Sequence, residues 1–218
     1  MTKHFERELE KIKKMILSLG AMVEDRVRLA TLAIKELHAE HAETIIRSDH
    51  EIDEMEVEVE EECLKVMALH QPVAVDLRFL VVIIKINNDL ERIADEAVNI
   101  ARRVKTIAKF DEREAAFDYS EMAGKASKML KMSLDALVNL DDDLAWQVVT
   151  LDDEVDRLQQ EAYEQIKREM FASSDQLKYW INVFLISRHL ERLADHATNI
   201  AEEVIYLIEG EIVRHEKP

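Results

Sequence analysis

The segment Leu90-Glu91-Arg92-Ile93-Ala94-Asp95-Glu96-Ala97-Val98-Asn99-Ile100-Ala101 recurs as Leu190-Glu191-Arg192-Leu193-Ala194-Asp195-His196-Ala197-Thr198-Asn199-Ile200-Ala201, an offset of 100 with nine of twelve positions identical. Shared helical composition does not produce that much agreement, so any fold for this chain has to contain the same unit twice. Asp49, Glu51 and Asp53 align with Asp152, Glu154 and Asp156 at an offset of 103. The second copy has therefore lost about one helical turn near the loop that follows. Leu77-Arg78-Phe79 against Leu177-Lys178-Tyr179 fixes the alignment between those two markers. The 218 residues divide on this basis into 1–110 and 111–218, and 48% hydrophobic content lets each part bury a core.

Each copy reads as three helices. From Phe5 through Leu9, Ile12, Ile16, Leu19, Val23, Ala30, Ile34 and Leu37, apolar residues return every third or fourth place, the signature of one long amphipathic helix. The same periodicity predicts helices over 42–69, 75–108, 116–140, 144–171 and 175–208. His70-Gln71-Pro72 breaks the second from the third, because proline removes a backbone donor and restricts the residue before it. Ser173, Ser174 and Asp175 are expected to cap the sixth helix. With only 3 Gly and 2 Pro the chain cannot make the reversals that an all-β fold needs. The expected fold class is all-α, two tandem three-helix bundles related by duplication.

A net charge of −17 opposes nucleic acid and anionic lipid. The longest apolar run, Phe79 to Ile84, is far too short to insert into a bilayer, and the lone Cys63 cannot pair within the chain. A cytoplasmic location without direct membrane insertion is the expectation.

The acids are arranged in ladders. The second helix of each copy carries Asp-x-x-x-Asp (Asp49, Asp53; Asp152, Asp156), and the third carries Glu-x-x-x-Asp-x-x-x-Asn (Glu91, Asp95, Asn99; Glu191, Asp195, Asn199). Residues four apart stand one above another on a helix, and like charges so placed repel by a few tenths of a kcal/mol per pair. A solvated acidic face is the plain reading. Retaining the repulsion at matching places in both copies points instead to a bound cation, held between ladders on adjacent helices. All-oxygen donors suit Mg²⁺, Ca²⁺, Mn²⁺ or iron. Taking Leu90 as zero, the apolar stripe centres near about 340°, while Glu91, Asp95 and Asn99 fall at roughly 100°, 140° and 180°. The ladders should therefore lie on a flank rather than inside a bundle, and no Glu is followed three places later by His, as a ferritin-like di-iron site requires. Asn99 and Asn199 serve equally well as ligands or as structural amides. Arg92 and Arg192 can orient a carboxylate, attract an anion, or simply form surface ion pairs.

Other residues have ordinary explanations. His189 aligns with Asp89, so the repeat gives no support to a phosphoacceptor, and an exposed or helix-pairing role suits it better. His196, one place after Asp195, is an auxiliary ligand candidate. Cys63, Phe79, Tyr179 and Trp180 fall on apolar faces and are expected to pack, while Trp146 is a candidate for a partner surface. Gly20, Gly124 and Gly210 lie too far apart for a phosphate-cradling loop, and no His-Glu-x-x-His or assembled nucleophile is present. An ordinary hydrolase is not supported.

The two long repeats, with Gln71-Pro72 and Asp76-Leu77-Arg78 ahead of the first, closely resemble the PhoU family of bacterial phosphate-uptake regulators over essentially the whole chain. The resemblance implies two three-helix bundles, a cytoplasmic homodimer, and iron, zinc or a similar metal in multinuclear clusters at Asp49, Asp53, Glu91 and Asp95 and at Asp152, Asp156, Glu191 and Asp195. It also implies a non-enzymatic, negative regulatory role beside the ATPase of the phosphate ABC transporter and a phosphate sensor histidine kinase. A metal-dependent phosphate-ester enzyme and a metal-free helical adaptor are the alternatives.

Overall fold

The computed structural model describes residues 3–37, 39–110, 117–172 and 176–213. The described helices are α1 (Lys3–Glu36), α2 (Ala39–Arg47), α3 (Asp49–His70), α4 (Ala74–Ile107), α5 (Ser120–Asn139), α6 (Asp142–Ala172) and α7 (Leu177–Glu209), with no strand among the described residues. The six periodic segments are thus all helical, and the second is interrupted at Ser48 into α2 and α3. The interruption has a local cause. Arg26 of α1, only 5% exposed, donates to the carbonyls of Ile45 (3.3 Å) and Ser48 (2.8 Å), while the Ser48 hydroxyl turns back on Thr44 O. The guanidinium satisfies carbonyls at the break, and Ser48 O also accepts the Glu51 N–H at 3.2 Å as α3 begins. Periodicity alone gives no sign of that break, because α2 and α3 keep Ile45 and Ile52 on the same buried side.

Helix starts differ modestly from the expected ones. Asp118 Oδ1 accepts the Ser120 N–H (2.9 Å) and so starts α5 later than residue 116. Asp141 Oδ1 accepts the Leu144 N–H (2.9 Å) and starts α6 two residues early. Ser173, Ser174 and Asp175 lie outside the described residues.

The helices α4 and α7 form the centre of the molecule. α4 packs against α1, α2 and α3, α7 packs against α5 and α6, and the two central helices pack against each other. They run antiparallel, since Arg78 reaches Leu207 O, Lys85 pairs with Glu203, and Arg103 meets Asn182. Alanines 94, 97, 101, 194, 197 and 201 are fully or almost fully buried, the small side chains that let central helices approach closely. Leu90, Ile93, Ile100, Leu193 and Ile200 fill the spaces between them, each worth roughly 1.5–3 kcal/mol when withdrawn from water. One hydrophobic cluster runs through both halves. α1 also meets α5, where a Cβ on Gly20 would stand 3.0 Å from Leu134.

The crossing of α4 and α7 contains a reciprocal pair of polar contacts. His189 Nδ1 lies 2.6 Å from Glu96 Oε2, and His196 Nδ1 lies 2.9 Å from Asp89 Oδ1. Because 89 aligns with 189 and 96 with 196, an antiparallel crossing of repeated helices brings each residue opposite the other's equivalent. One copy supplies both acids and the other both imidazoles. Of the exposed and helix-pairing roles expected for His189, the structure shows the second, buried against Glu96.

Candidate metal centre

The ladders of each half face one another across adjacent helices. In the second half, α6 supplies Asp152 and Asp156, and α7 supplies Glu191 and Asp195. One carboxylate oxygen each from Asp156, Glu191 and Asp195 fall within 4.8 Å of one another. Asp152 stands beside them, its Oδ1 held by the Thr198 hydroxyl at 3.1 Å. Burial, then the charges of Glu191, Asp152 and Asp156, push the Asp195 carboxyl up to about 7. Burial and Asp156 likewise raise Asp152, against the lowering effect of Thr198. Glu191 is raised by burial and by the aspartates of α6, with Arg188 and Arg192 opposing. Its Oε2 is buried and has no hydrogen-bond partner. A cleft of about 640 Å³ opens beside the cluster, lined by Asp89, Asp152, Asp195, His196 and Asn199 among others.

The first half brings the same residue types together with more cationic help. Asp49, the first residue of α3, is raised by burial and by Asp53 and Asp95, and Arg26 stands 3.6 Å from it. Glu91 is raised by burial and Asp95 and lowered by Arg92. Arg92 sits 3.4 Å from both Glu91 and Asp95, in exposed surroundings. Glu56, one turn beyond Asp53, joins this half's acids; burial raises it first, then Glu60 and Asp53. At the offset of 103 its counterpart is Gln159, so the repeat hides it.

The asparagines at the end of each ladder are engaged structurally. Asn99 Oδ1 accepts from Arg102 at 3.2 Å, and Asn199 Nδ2 donates to Asp89 Oδ1 at 3.2 Å across the α4–α7 crossing. His196 also turns to Asp89, and Arg192 pairs with Glu96 at 3.3 Å rather than with its neighbouring ladder. Asp89, Thr198, Arg26 and Glu56 were not legible as site residues from the ladders, because their roles depend on contacts between helices. Cys63 is fully buried and its thiol is pushed up to about 12, so it is packed and unreactive. Tyr179 and Trp180 are buried, while Phe79 and Trp146 are partly buried against the core.

The PhoU domain model matches residues 16–104 and 119–204. The chain belongs to the PhoU family. Its two matched segments contain the ladders of the first and second halves respectively. A phosphate-specific transport system accessory protein PhoU homolog of Pseudomonas aeruginosa is 37% identical over 218 residues, covering 99% of this chain and 89% of that protein. The similarly named protein of Clostridium acetobutylicum is 34% identical over 212 residues, covering 97% of each. Among solved structures, PhoU from Pseudomonas aeruginosa superposes with a TM-score of 0.90 at 36% identity, covering 95% of this chain and all of that one. The phosphate transport system regulatory protein PhoU from Streptococcus pneumoniae gives a TM-score of 0.84 at 31% identity, covering 96% of this chain and 99% of the other.

Within this PhoU fold, the donor set fits a hard, oxygen-seeking cation. The second-half cluster has three convergent carboxylates and an orphaned buried oxygen on Glu191, and no Lys or Arg among the described residues forms a direct ion pair with Asp156, Glu191 or Asp195. An uncompensated group of this kind is costly unless protons or a cation occupy it.

Proposed function

We propose that the protein is a metal-binding, non-enzymatic negative regulator of phosphate uptake and of the phosphate-starvation response, working in the cytoplasm as a homodimer. Its partners on this reading are the ATPase of the phosphate ABC transporter and a phosphate sensor histidine kinase. Family membership and the relatives' names, which place them in the phosphate-specific transport system, support the regulatory part. No helix among the described residues is long and apolar enough to cross a membrane, which agrees with action beside a transporter rather than within it. The metal part rests on one observation, the convergence of Asp156, Glu191 and Asp195.

The chain's own residues would do the following. Asp152 and Asp156 would hold a cation from α6, Glu191 and Asp195 from α7, and Thr198 keeps Asp152 oriented. In the first half, Asp49 and Asp53 would act with Glu91 and Asp95. The cation cancels the stacked charge and ties two helices in one arrangement, so regulator shape becomes dependent on metal. Iron, manganese, magnesium and calcium suit the oxygens, and zinc is expected from the family resemblance.

Metal analysis after anaerobic purification with added Fe²⁺ tests the site, comparing the parent with Asp95→Ala plus Asp195→Ala. Bound metal in the parent and its loss in the variant support it; a metal-free parent refutes it. A pull-down from phosphate-replete cells, with and without chelator, tests the coupling. Transporter and kinase recovered only without chelator support metal-dependent docking, whereas equal recovery establishes a metal-free adaptor.

A further inference from the structure

The carboxylate ladders are not the only place where ligating groups converge. At the far end of α3 from Asp49, His4 and Glu8 of α1 meet His70, the last residue of α3, with one ligating atom from each within 4.8 Å of the others. Twenty-one residues separate Asp49 from His70, on the order of 30 Å of helix. His4 and Glu8 also precede the first family-matched segment, which begins at residue 16. This cluster is therefore separate from the ladders, and of its three residues only His70 falls within the matched segment.

Its chemistry differs from theirs as well. His70 Nε2 lies 2.5 Å from Glu8 Oε2, and His4 Nε2 lies 3.4 Å from Glu8 Oε1, so each carboxylate oxygen faces one imidazole. Glu8 is only 12% exposed at its side chain, and no Lys or Arg among the described residues pairs with it. Lys11, three places on, is committed instead to Glu62 at 3.0 Å. This mostly buried carboxylate and its two imidazoles form one cluster of ligating atoms. It is a good ligand set. Two imidazole nitrogens and one carboxylate favour a borderline metal such as zinc over the hard ions suited to the ladders. Phe5 packs against the His70 ring with 5.0 Å between centroids, which restricts its orientation. The carbonyl end of α3 adds partial negative charge beside the same ring.

We propose that His4, Glu8 and His70 form a zinc-class divalent metal site that clamps the start of α1 to the end of α3. Tetrahedral zinc with bonds near 2.05 Å separates its ligands by about 3.4 Å. The two imidazoles face different Glu8 oxygens, so holding one zinc through a single oxygen requires the carboxylate to turn between them. Three protein donors leave the fourth position to water, a small anion or a partner side chain. The cation bound here joins α1 and α3 just ahead of the loop at 71–73, and it does so independently of whatever occupies the ladders.

The test uses the full-length protein and Zn²⁺ alone. Zn²⁺ is titrated calorimetrically into the parent, into His4→Ala, into His70→Ala, and into a ladder variant carrying Asp156→Asn and Asp195→Asn, while nitrogen-15 imidazole spectra follow the rings. The ladder variant is expected to keep one Zn²⁺ equivalent that both histidine variants lose, with the His4 and His70 Nε2 resonances shifting on addition. Thermal melts in chelator show whether His4→Ala, at an exposed position, leaves the fold intact; Zn²⁺ should raise the melting temperature of the parent but much less that of His4→Ala. Unshifted His4 and His70 resonances, or the same zinc stoichiometry in parent and histidine variants, would overturn the site. A parent that binds this one Zn²⁺ equivalent but no metal at the ladders would instead count against the proposed ladder function alone.

Discussion

The two halves repeat the same ladders but solve their electrostatics differently. In the second half α6 is continuous through residue 151, and Asp156, Glu191 and Asp195 crowd together without a direct basic partner. In the first half the corresponding helix breaks at Ser48, and Arg26 enters the break to hold two carbonyls and stand beside Asp49. α1 ends at Glu36 and α5 at Asn139, the same offset of 103 that relates the aspartate ladders, and by it Arg26 corresponds to Met129, which is fully buried. The Arg26–Met129 difference, with Arg92 turned to its own ladder and Arg192 turned to Glu96, thus separates a more compensated cluster from a less compensated one. Duplication conserves the donor atoms more readily than the field in which they work, because the field comes from residues on other helices.

The largest expected difference is in metal affinity. Changing Asp156, Glu191 and Asp195 to their amides should weaken Mn²⁺ or Fe²⁺ binding by at least about tenfold more than the equivalent change at Asp53, Glu91 and Asp95, measured by titration calorimetry. Equal losses would show that Arg26 and Arg92 have no effect on the first cluster. Arg26→Met, which gives the first half the second half's residue, should cost about 2 kcal/mol in urea unfolding, because Ile45 and Ser48 carbonyls lose a buried donor. Added Mn²⁺ should recover more stability in that variant than in the parent.

The central helices also end differently. α7 stops at Gly210 with φ of 84°, and a Cβ there would stand 2.7 Å from Arg78 Nη1, whereas α4 closes on Ala108 in right-handed conformation. Gly210→Ala should therefore cost about 1 kcal/mol or more by thermal melts, while Ala108→Gly should change little. A further difference concerns protons. Asp195 moves from 3.8 to about 7 on folding, so it holds its proton more tightly in the folded state. Its contribution to stability is complete below about pH 4 and lost as pH rises through about 7. In chelator, Asp195→Asn should raise the melting temperature at about pH 7.5 relative to the parent and do so less at about pH 4.5.

Much of this architecture could be read along the chain. Apolar spacing located the helices, and i, i+4 acids on 49–53, 91–95, 152–156 and 191–195 identified ladders on helix flanks. Those signals are local, repeated every turn, and carried by residues on a single helix. Arg26 gave no signal, since its partners are the carbonyls of Ile45 and Ser48 on another helix. Glu56 was hidden because its counterpart is Gln159, and Asp89 because its counterpart is His189. Glu8 offers a visible neighbour in His4, but its decisive partner His70 lies 62 residues away.

By itself, the sequence determined the six periodic segments, their duplication, and which acids share a face, because backbone periodicity and side-chain direction are properties of one helix. The tertiary structure alone decided which acids remain without basic partners, how α4 exchanges acid–imidazole contacts with α7, and where α1 meets the end of α3. Those outcomes depend on antiparallel packing between distant helices, and electrostatic energy follows distance in space rather than separation along the chain.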